Sequence, residues 1–389
     1  MTDPADRTRL IAGATRRGRG RRPVSPPIER ASTILNDAPG DMRNERLGPV
    51  YGIEDLSAAT ELRRAIADLE RAADAWLVPS GLAAVTVPLT ALLRPGDEVL
   101  TTDAAYGPTR RFLKRHLGAR GVMTTFHSPD ASTGEILAAL TARTRVLLIE
   151  SPGSLTFEMV DVAALAAACR ERGVITIMDN TWAAGLAFRP LEHGVDVSVQ
   201  ALTKYAGGHS DLLMGSIAAT DPMLRREIAD TIEDLGWRVS PDDAWLALRG
   251  LRTLSLRYAE QARSAQIVTD WLQQQPEVSR VMWPALPGDR AHALWNRDYT
   301  GAASLFGVVM KGGDEAAAHA FMSALTLFGL GYSWGGFESL ITHENGQISM
   351  RNRPPQIEGQ LLRLHVGLED PADLIADLEA GLEAWRAPS

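Results

Sequence analysis

The stretch "RPLEHGVDVSVQALTKYAGGHSD", residues 189–211, sets one lysine, Lys204, between an apolar approach and a glycine-rich exit. Val195 to Val199 reads as a strand of a mostly buried sheet, and Gly207 and Gly208 let the backbone turn tightly beyond it. His209, Ser210 and Asp211 add polar groups nearby. A lysine at the end of a buried strand is either paired with an acid or partly desolvated. Desolvation lowers its pKa and makes it the kind of nucleophile that forms imines. On this stretch alone, a loop lysine that snorkels to the surface fits equally well.

On the N-terminal side, "AWLVPSGLAAVTVPLTALL" runs from a short strand through Pro-Ser-Gly into a helix, and "DEVLTT", "TRVLLIES" and "VITIMDN" are short apolar strands. Between them lie helical patterns: "SAATELRRAIADLERAA", with Leu62, Ile66 and Leu69 on one face and Ser57 as its cap, and "DVAALAAACRERG", ending at Gly173. Such alternation predicts an α/β fold, a mostly parallel sheet covered by helices on both faces. Ligands of these sheets bind beyond the carboxyl ends of the strands, where Ser80, Ser151, Asp179 and Lys204 all fall. Residues 1–48, rich in Arg, Pro and Gly, read as an extended arm, and 49–245 as the large domain. From 246 to 389 the pattern becomes α+β. A long helix, "AWLALRGLRTLSLRYAEQARSAQIVTDWLQQ", bent at Gly250, leads to a smaller domain with "SLFGVVM", "LLRLHVG" and the closing helix "ADLIADLEAGLEAWR".

Net charge of −8 argues against nucleic acid as the main partner, although "TRRGRGRR" at 15–22 carries five arginines. No aromatic residue is interleaved in that run, and no apolar h-region follows it. A transmembrane helix is not expected, since no run of 18 apolar residues occurs. Cys169 is the only cysteine, so an intrachain disulfide or a multi-cysteine metal site is excluded, and it reads as a small core residue. A cytoplasmic location is expected.

Asp179, at the end of "VITIMD", needs a partner, because an unpaired buried carboxylate is costly. For an isolated Asp-Asn, a helix cap or a turn former is the favoured reading. An aspartate and a lysine facing one pocket are what a pyridinium cofactor requires: an imine-forming amine and a carboxylate that keeps the ring nitrogen protonated. Gly81 and Leu82 open a helix whose free amides favour an anion, Thr203 adds a hydroxyl, and the Tyr106 ring could cover a planar group.

Taken together, "SPPIERAST", "PSGLAAV", "AAYGPTRRF", "ESPGSLTFE", "MDNTWA", the 189–211 stretch, "RGLRTL", "YSWGGFESL" and "LLRLHVGLED" resemble, in this order, the Cys/Met-metabolism family of fold-type I PLP-dependent enzymes. The likeness runs from about Ser25 to Ala384. "SPGSLTFE" and "SWGG" are similar to the family's β-lyases, whereas its γ-synthases and γ-lyases typically carry Pro-Thr-Asn-Pro and Ser-Leu-Gly-Gly type segments. The resemblance implies pyridoxal 5'-phosphate as cofactor and β-elimination from a sulfur amino acid such as L-cystathionine. In this reading Lys204 is the imine-forming lysine and proton shuttle, Asp179 pairs with the ring nitrogen, and Tyr106 stacks on the ring. Gly81, Leu82 and Thr203 hold the phosphate; Arg363 clamps the substrate carboxylate; Ser333 and Trp334 line the site. Tyr51 would come from a neighbouring subunit of a homodimer or homotetramer.

Two positions depart from the family pattern. Ile53 stands where many relatives place an arginine that reaches the phosphate across the interface, followed by Glu54 and Asp55, which alter the field there. Ala201 stands where many have a phosphate-binding serine. Loss of a charge-assisted contact of roughly 1.5–3 kcal/mol predicts weaker cofactor binding. Rival readings are a PLP enzyme for another cysteine S-conjugate or natural-product intermediate, a non-catalytic relative, and a nucleic-acid binder acting through the arginine run.

Overall fold

The computed structural model describes residues 5–12 and 23–387, so the arginine run lies outside the described residues. Its larger sheet comprises β1 (Asp74–Val78), β2 (Glu98–Thr102), β3 (Met123–His127), β4 (Thr144–Glu150), β5 (Ile175–Asp179), β6 (Val197–Ala201) and β7 (Gly215–Ala219). Their order is β1-β7-β6-β5-β4-β2-β3, and only β7 runs against its neighbours. All the other strands therefore end on one edge.

Period-two packing explains why both faces are covered. Val146 and Leu148 of β4 join Val99, Ile177 and Val197 in one apolar cluster, together with Val85 and Leu89 of the helix Gly81–Leu92. Leu147 and Ile149 point the other way and join Met178, with Leu62 and Ile66 of the helix Ser57–Glu70 and Leu165 of the helix Val162–Glu171. Each such side chain, fully buried, contributes about 1.5–3 kcal/mol.

A second sheet, β8 (Val278–Met282), β9 (Leu305–Met310), β10 (Gly329–Leu330), β11 (Leu340–His343) and β12 (Gln360–His365), has the order β10-β11-β12-β9-β8. It is antiparallel except for the β10–β11 pair. The helices Glu315–Ala324 and Pro371–Arg386 supply Phe321, Leu374 and Leu378 to its core. Among the described residues no helix is long and apolar enough to cross a membrane.

Three local expectations need correction. The long helix is two, Pro241–Leu251 and Leu254–Leu272. The break follows from the Gly250 carbonyl, which accepts from Thr253 N–H at 3.1 Å and from Arg257 Nη2 at 2.8 Å. Gly250 itself is no hinge: a Cβ there would overlap the Gly207 carbonyl, so its bareness lets the helix approach the turn after Lys204. Ser57 is the first helical residue and not the cap; the Glu29 carboxylate accepts from its N–H at 3.1 Å and its hydroxyl at 2.5 Å, so the arm supplies the cap. Within the arm, Asp6–Ala12 is a short helix, because Leu10 is buried and Arg9 pairs with Asp68 at 2.9 Å.

Candidate active site

β6 ends at Ala201, and the chain then folds back on itself: Lys204 N–H donates to Ala201 O at 3.0 Å and Gly208 N–H to Lys204 O at 2.8 Å. Gly208 has φ +69, and a Cβ on it would collide with the Arg257 guanidinium, which donates to Tyr205 O at 2.8 Å. The glycine-rich exit thus lets a buried arginine clamp the turn that presents Lys204. The lysine Nζ donates to Ser333 Oγ at 2.7 Å and stands 5.3 Å from the centre of the Trp334 ring. Burial pushes its pKa down to about 8, the Arg363 charge helps, and Asp179 opposes. A surface lysine is thereby excluded.

Asp179 closes β5, in register with Glu150 of β4 and Val199 of β6. Thr181 donates to its Oδ1 through the backbone N–H (3.0 Å) and the hydroxyl (2.6 Å). Among the described residues Oδ2 accepts no hydrogen bond. Burial raises the carboxyl's pKa. The neighbouring Glu150 carboxylate accepts from Tyr106 N–H at 2.7 Å and Ser154 Oγ at 2.6 Å, and burial followed by the Asp179 charge pushes it up too. Tyr106, half-exposed at the start of the helix Gly107–Arg111, feels Glu150, Arg363 and Asp179. These residues share one electrostatic neighbourhood.

From the second sheet, Arg363 on β12 faces Glu344 at 3.6 Å. Glu344 is fully buried and already accepts from Thr342 Oγ1 at 2.6 Å and Gln347 Nε2 at 2.5 Å. Among the described residues the terminal nitrogens of Arg363 make no hydrogen bond, which leaves its fork available. Ser333 has φ +91, a costly conformation for a residue with a side chain. A buried relay of hydrogen bonds fixes the loop that carries it. Gly335 N–H donates to His365 Nε2 at 3.0 Å; His365 Nδ1 contacts Ser304 Oγ at 3.1 Å; and Ser304 N–H donates to the Tyr205 hydroxyl at 2.9 Å. Burial pushes His365 down to about 3, so the ring is neutral and Nδ1 donates.

At the helix Gly81–Leu92, Ser80 Oγ accepts from Ala83 N–H at 3.1 Å and Ser80 O from Ala84 N–H at 3.1 Å. Among the described residues the amides of Gly81 and Leu82 make no hydrogen bond, as expected of a helix start that could face an anion. A Cβ on Gly81 would overlap the Ala201 Cβ, so this close approach requires glycine. Thr203, expected at the phosphate, has its hydroxyl donating to Met214 O at 3.2 Å and accepting from Met214 N–H at 3.0 Å, which closes the β6–β7 connection. Tyr51 is 54% exposed and bridged to Thr33. Cys169 is fully buried and its thiol is raised to about 11, which removes it as a nucleophile.

Sequence reasoning assigned no role to Glu150, Glu344, Thr181 or His365. Only Glu150 could have been found from its pattern, since it ends an apolar strand as Asp179 does.

An acid with one carboxylate oxygen unengaged, a desolvated amine and a helix start shaped by a glycine fit a phosphorylated pyridine carrying an aldehyde. A family model described as Cys/Met metabolism PLP-dependent enzyme matches residues 7–383. The chain belongs to this family. Pyridoxal phosphate is the cofactor of its members. A putative cystathionine β-lyase of Rhizobium johnstonii is 42% identical over 94% of this chain and 92% of its own length. The cystathionine β-lyase of Bordetella avium is 41% identical, covering 94% and 93%. The crystal structure of metB from Corynebacterium glutamicum superposes with a TM-score of 0.91 at 28% identity, covering 98% of both chains. The chain is thus similar to β-lyases through most of its length and shares its fold with that structure.

Proposed function

We propose that this PLP-dependent enzyme is a carbon–sulfur β-lyase that converts L-cystathionine and water to homocysteine, pyruvate and ammonia. The contact of Lys204 Nζ with Ser333 Oγ, beside Trp334 and under the field of Arg363, carries the reading. The two sheets each supply one part of it. Pyridoxal phosphate, held by Lys204, Asp179 and the Gly81 and Leu82 amides, supplies the sink for the electron pair left when Cα loses its proton.

This chain's residues do the rest. Arg363 takes the substrate α-carboxylate in its free fork and so fixes which bond at Cα faces Lys204. Lys204, with a pKa near 8, accepts the Cα proton as a neutral amine and returns a proton as an ammonium. Ser333 holds Nζ on the line between those tasks. As the Cβ–S bond breaks, the departing thiolate takes its proton from Lys204 or from the Tyr106 hydroxyl. Asp179, with Oδ2 unengaged, keeps the ring nitrogen protonated, and Trp334 covers Lys204 against water.

We further infer a cytoplasmic homo-oligomer in which Tyr51 of one copy borders the site of the next. Its exposure in its own chain supports this, as does a lone buried cysteine, which suits a reducing compartment. Pyruvate release from L-cystathionine by the purified holoenzyme tests the activity. A yellow protein that yields none overturns the substrate. A dilute monomer by light scattering with full activity overturns the shared site.

A further inference from the structure

We propose that the C-terminal sheet carries a binding site for a divalent transition-metal ion of the Zn2+ class, formed by Glu315, His319 and His343. Glu315 and His319 stand one turn apart on the helix Glu315–Ala324, and residues four apart share a helix face. His343 ends β11 opposite them. One ligand atom from each lies within 4.8 Å of the other two, His319 Nε2 is 3.8 Å from a Glu315 oxygen, and the two imidazole centres are 5.7 Å apart.

Both backbones are fixed. The helix is capped by Asp314, which accepts from Ala317 N–H at 3.0 Å, and anchored by buried Ala318 and Phe321. β11 is paired through His343 to Leu362 of β12. Only exposed or half-buried side chains have to turn to bring the ligand atoms to the ~3.4 Å separation that bonds of about 2.0–2.2 Å impose around a tetrahedral ion. His343 also has an outer partner: its Nε2 lies 2.9 Å from the Gln360 Oε1. Donation from Nε2 to that oxygen leaves Nδ1 unprotonated and available to the metal, the arrangement in which outer-shell groups orient ligating imidazoles. Two imidazoles and one carboxylate select zinc, nickel, cobalt or copper(II) over magnesium and calcium, which demand oxygen donors. Three protein ligands leave one position for water.

The site shares no residue with the Lys204 group, and its ion would staple the helix to the sheet. Tag-free, chelator-treated holoenzyme titrated with ZnCl2 in a calorimeter should bind one ion per chain in the micromolar range and melt several degrees higher. Co2+ in its place should give the visible absorption of a four-coordinate ion. His319→Ala and His343→Ala should each weaken binding about tenfold or more and abolish the thermal shift, with Glu315→Gln weaker in effect. His319 is exposed, so its variant folds whatever happens at His343. Affinity unchanged in His319→Ala, or no saturable binding to the parent enzyme, overturns the proposal.

Discussion

The two ends of the active site are built differently. At the carboxylate end, charge is concentrated: Arg363 is nearly buried, balanced only loosely by Glu344 at 3.6 Å, and backed by the strained Ser333 loop. At the proposed phosphate end stand the Gly81 and Leu82 amides, with the Thr203 hydroxyl tied to Met214 and Ala201 filling the space above Gly81. In the proposed reading one end would recognise its ligand by a preformed charge in low dielectric, the other by backbone dipoles and shape. The first is intolerant of chemistry, the second of volume.

The carboxylate end should respond most strongly to substitution. Arg363→Lys keeps the charge but loses the planar fork, so kcat/KM for L-cystathionine should fall roughly 100-fold, mostly through KM, while the absorbance of bound cofactor persists. A lysine variant within a factor of about three would show that the fork is not what binds the carboxylate. The phosphate end should yield to a single methyl. Gly81→Ala forces a Cβ into Ala201 and should weaken pyridoxal phosphate binding by about tenfold or more, with turnover recovering at saturating cofactor. Equal affinity, measured by equilibrium dialysis, would mean that the helix start is not the anion site.

A pH experiment probes the support behind the carboxylate end. His365 stays neutral in the fold down to about 3, whereas a histidine in the unfolded chain takes up a proton near 6.5. Between these values only the unfolded state gains the proton. The stability held above about pH 6.5 is therefore lost as pH falls toward 3, by up to ~1.4 kcal/mol per unit. His365→Gln should flatten that dependence, so that denaturant unfolding at pH 7 and pH 5 differs by ~2 kcal/mol less than in the parent. Identical slopes would strip His365 of that role.

This contrast also explains which parts of the site were legible in the sequence. Strand ends announce themselves, because an apolar run with period-two burial must stop somewhere, and a charged residue just beyond it, Asp179 or Lys204, becomes a site candidate once two such ends meet, although each alone also reads as a turn former or a surface lysine. Gly81 was legible as a helix start, but not as a close contact with Ala201, which depends on how β6 lies beside that helix. Arg363 sits inside a strand, and its role came from family likeness alone. Its counterion Glu344 and the prop His365 act through pairings across the second sheet that no spacing encodes. The break after Leu251 was hidden for a related reason: the Gly250 carbonyl is drawn off by Arg257, a tertiary contact that overrides an otherwise continuous helical pattern.

Substitution at Ile53 should matter least, yet the sign of its effect is the most telling. The acids beside it do not project a free negative field. Asp55 pairs with Arg63 at 2.8 Å and Arg238 at 3.5 Å, while Glu54 Oε1 accepts from the backbone N–H of Val50 at 3.1 Å and of Tyr51 at 3.3 Å. Arg238 also donates to the Ile53 carbonyl, which fixes the backbone there. An arginine at 53 would thus enter a segment whose charges are already matched, at a position that is 46% exposed. While that position stays solvated, a cation meeting a phosphate gains less than ~1 kcal/mol, a change of up to about fivefold in affinity, short of the roughly 1.5–3 kcal/mol of a shielded contact. Ile53→Arg should therefore tighten pyridoxal phosphate binding by a few-fold, and the gain should shrink as salt is added. A gain that also vanishes when the protein is diluted to monomers would place the new cation on a neighbouring copy's cofactor. No gain at low salt would mean that the phosphate end is complete with amides alone, and that Ile53 marks a site that never needed the charge.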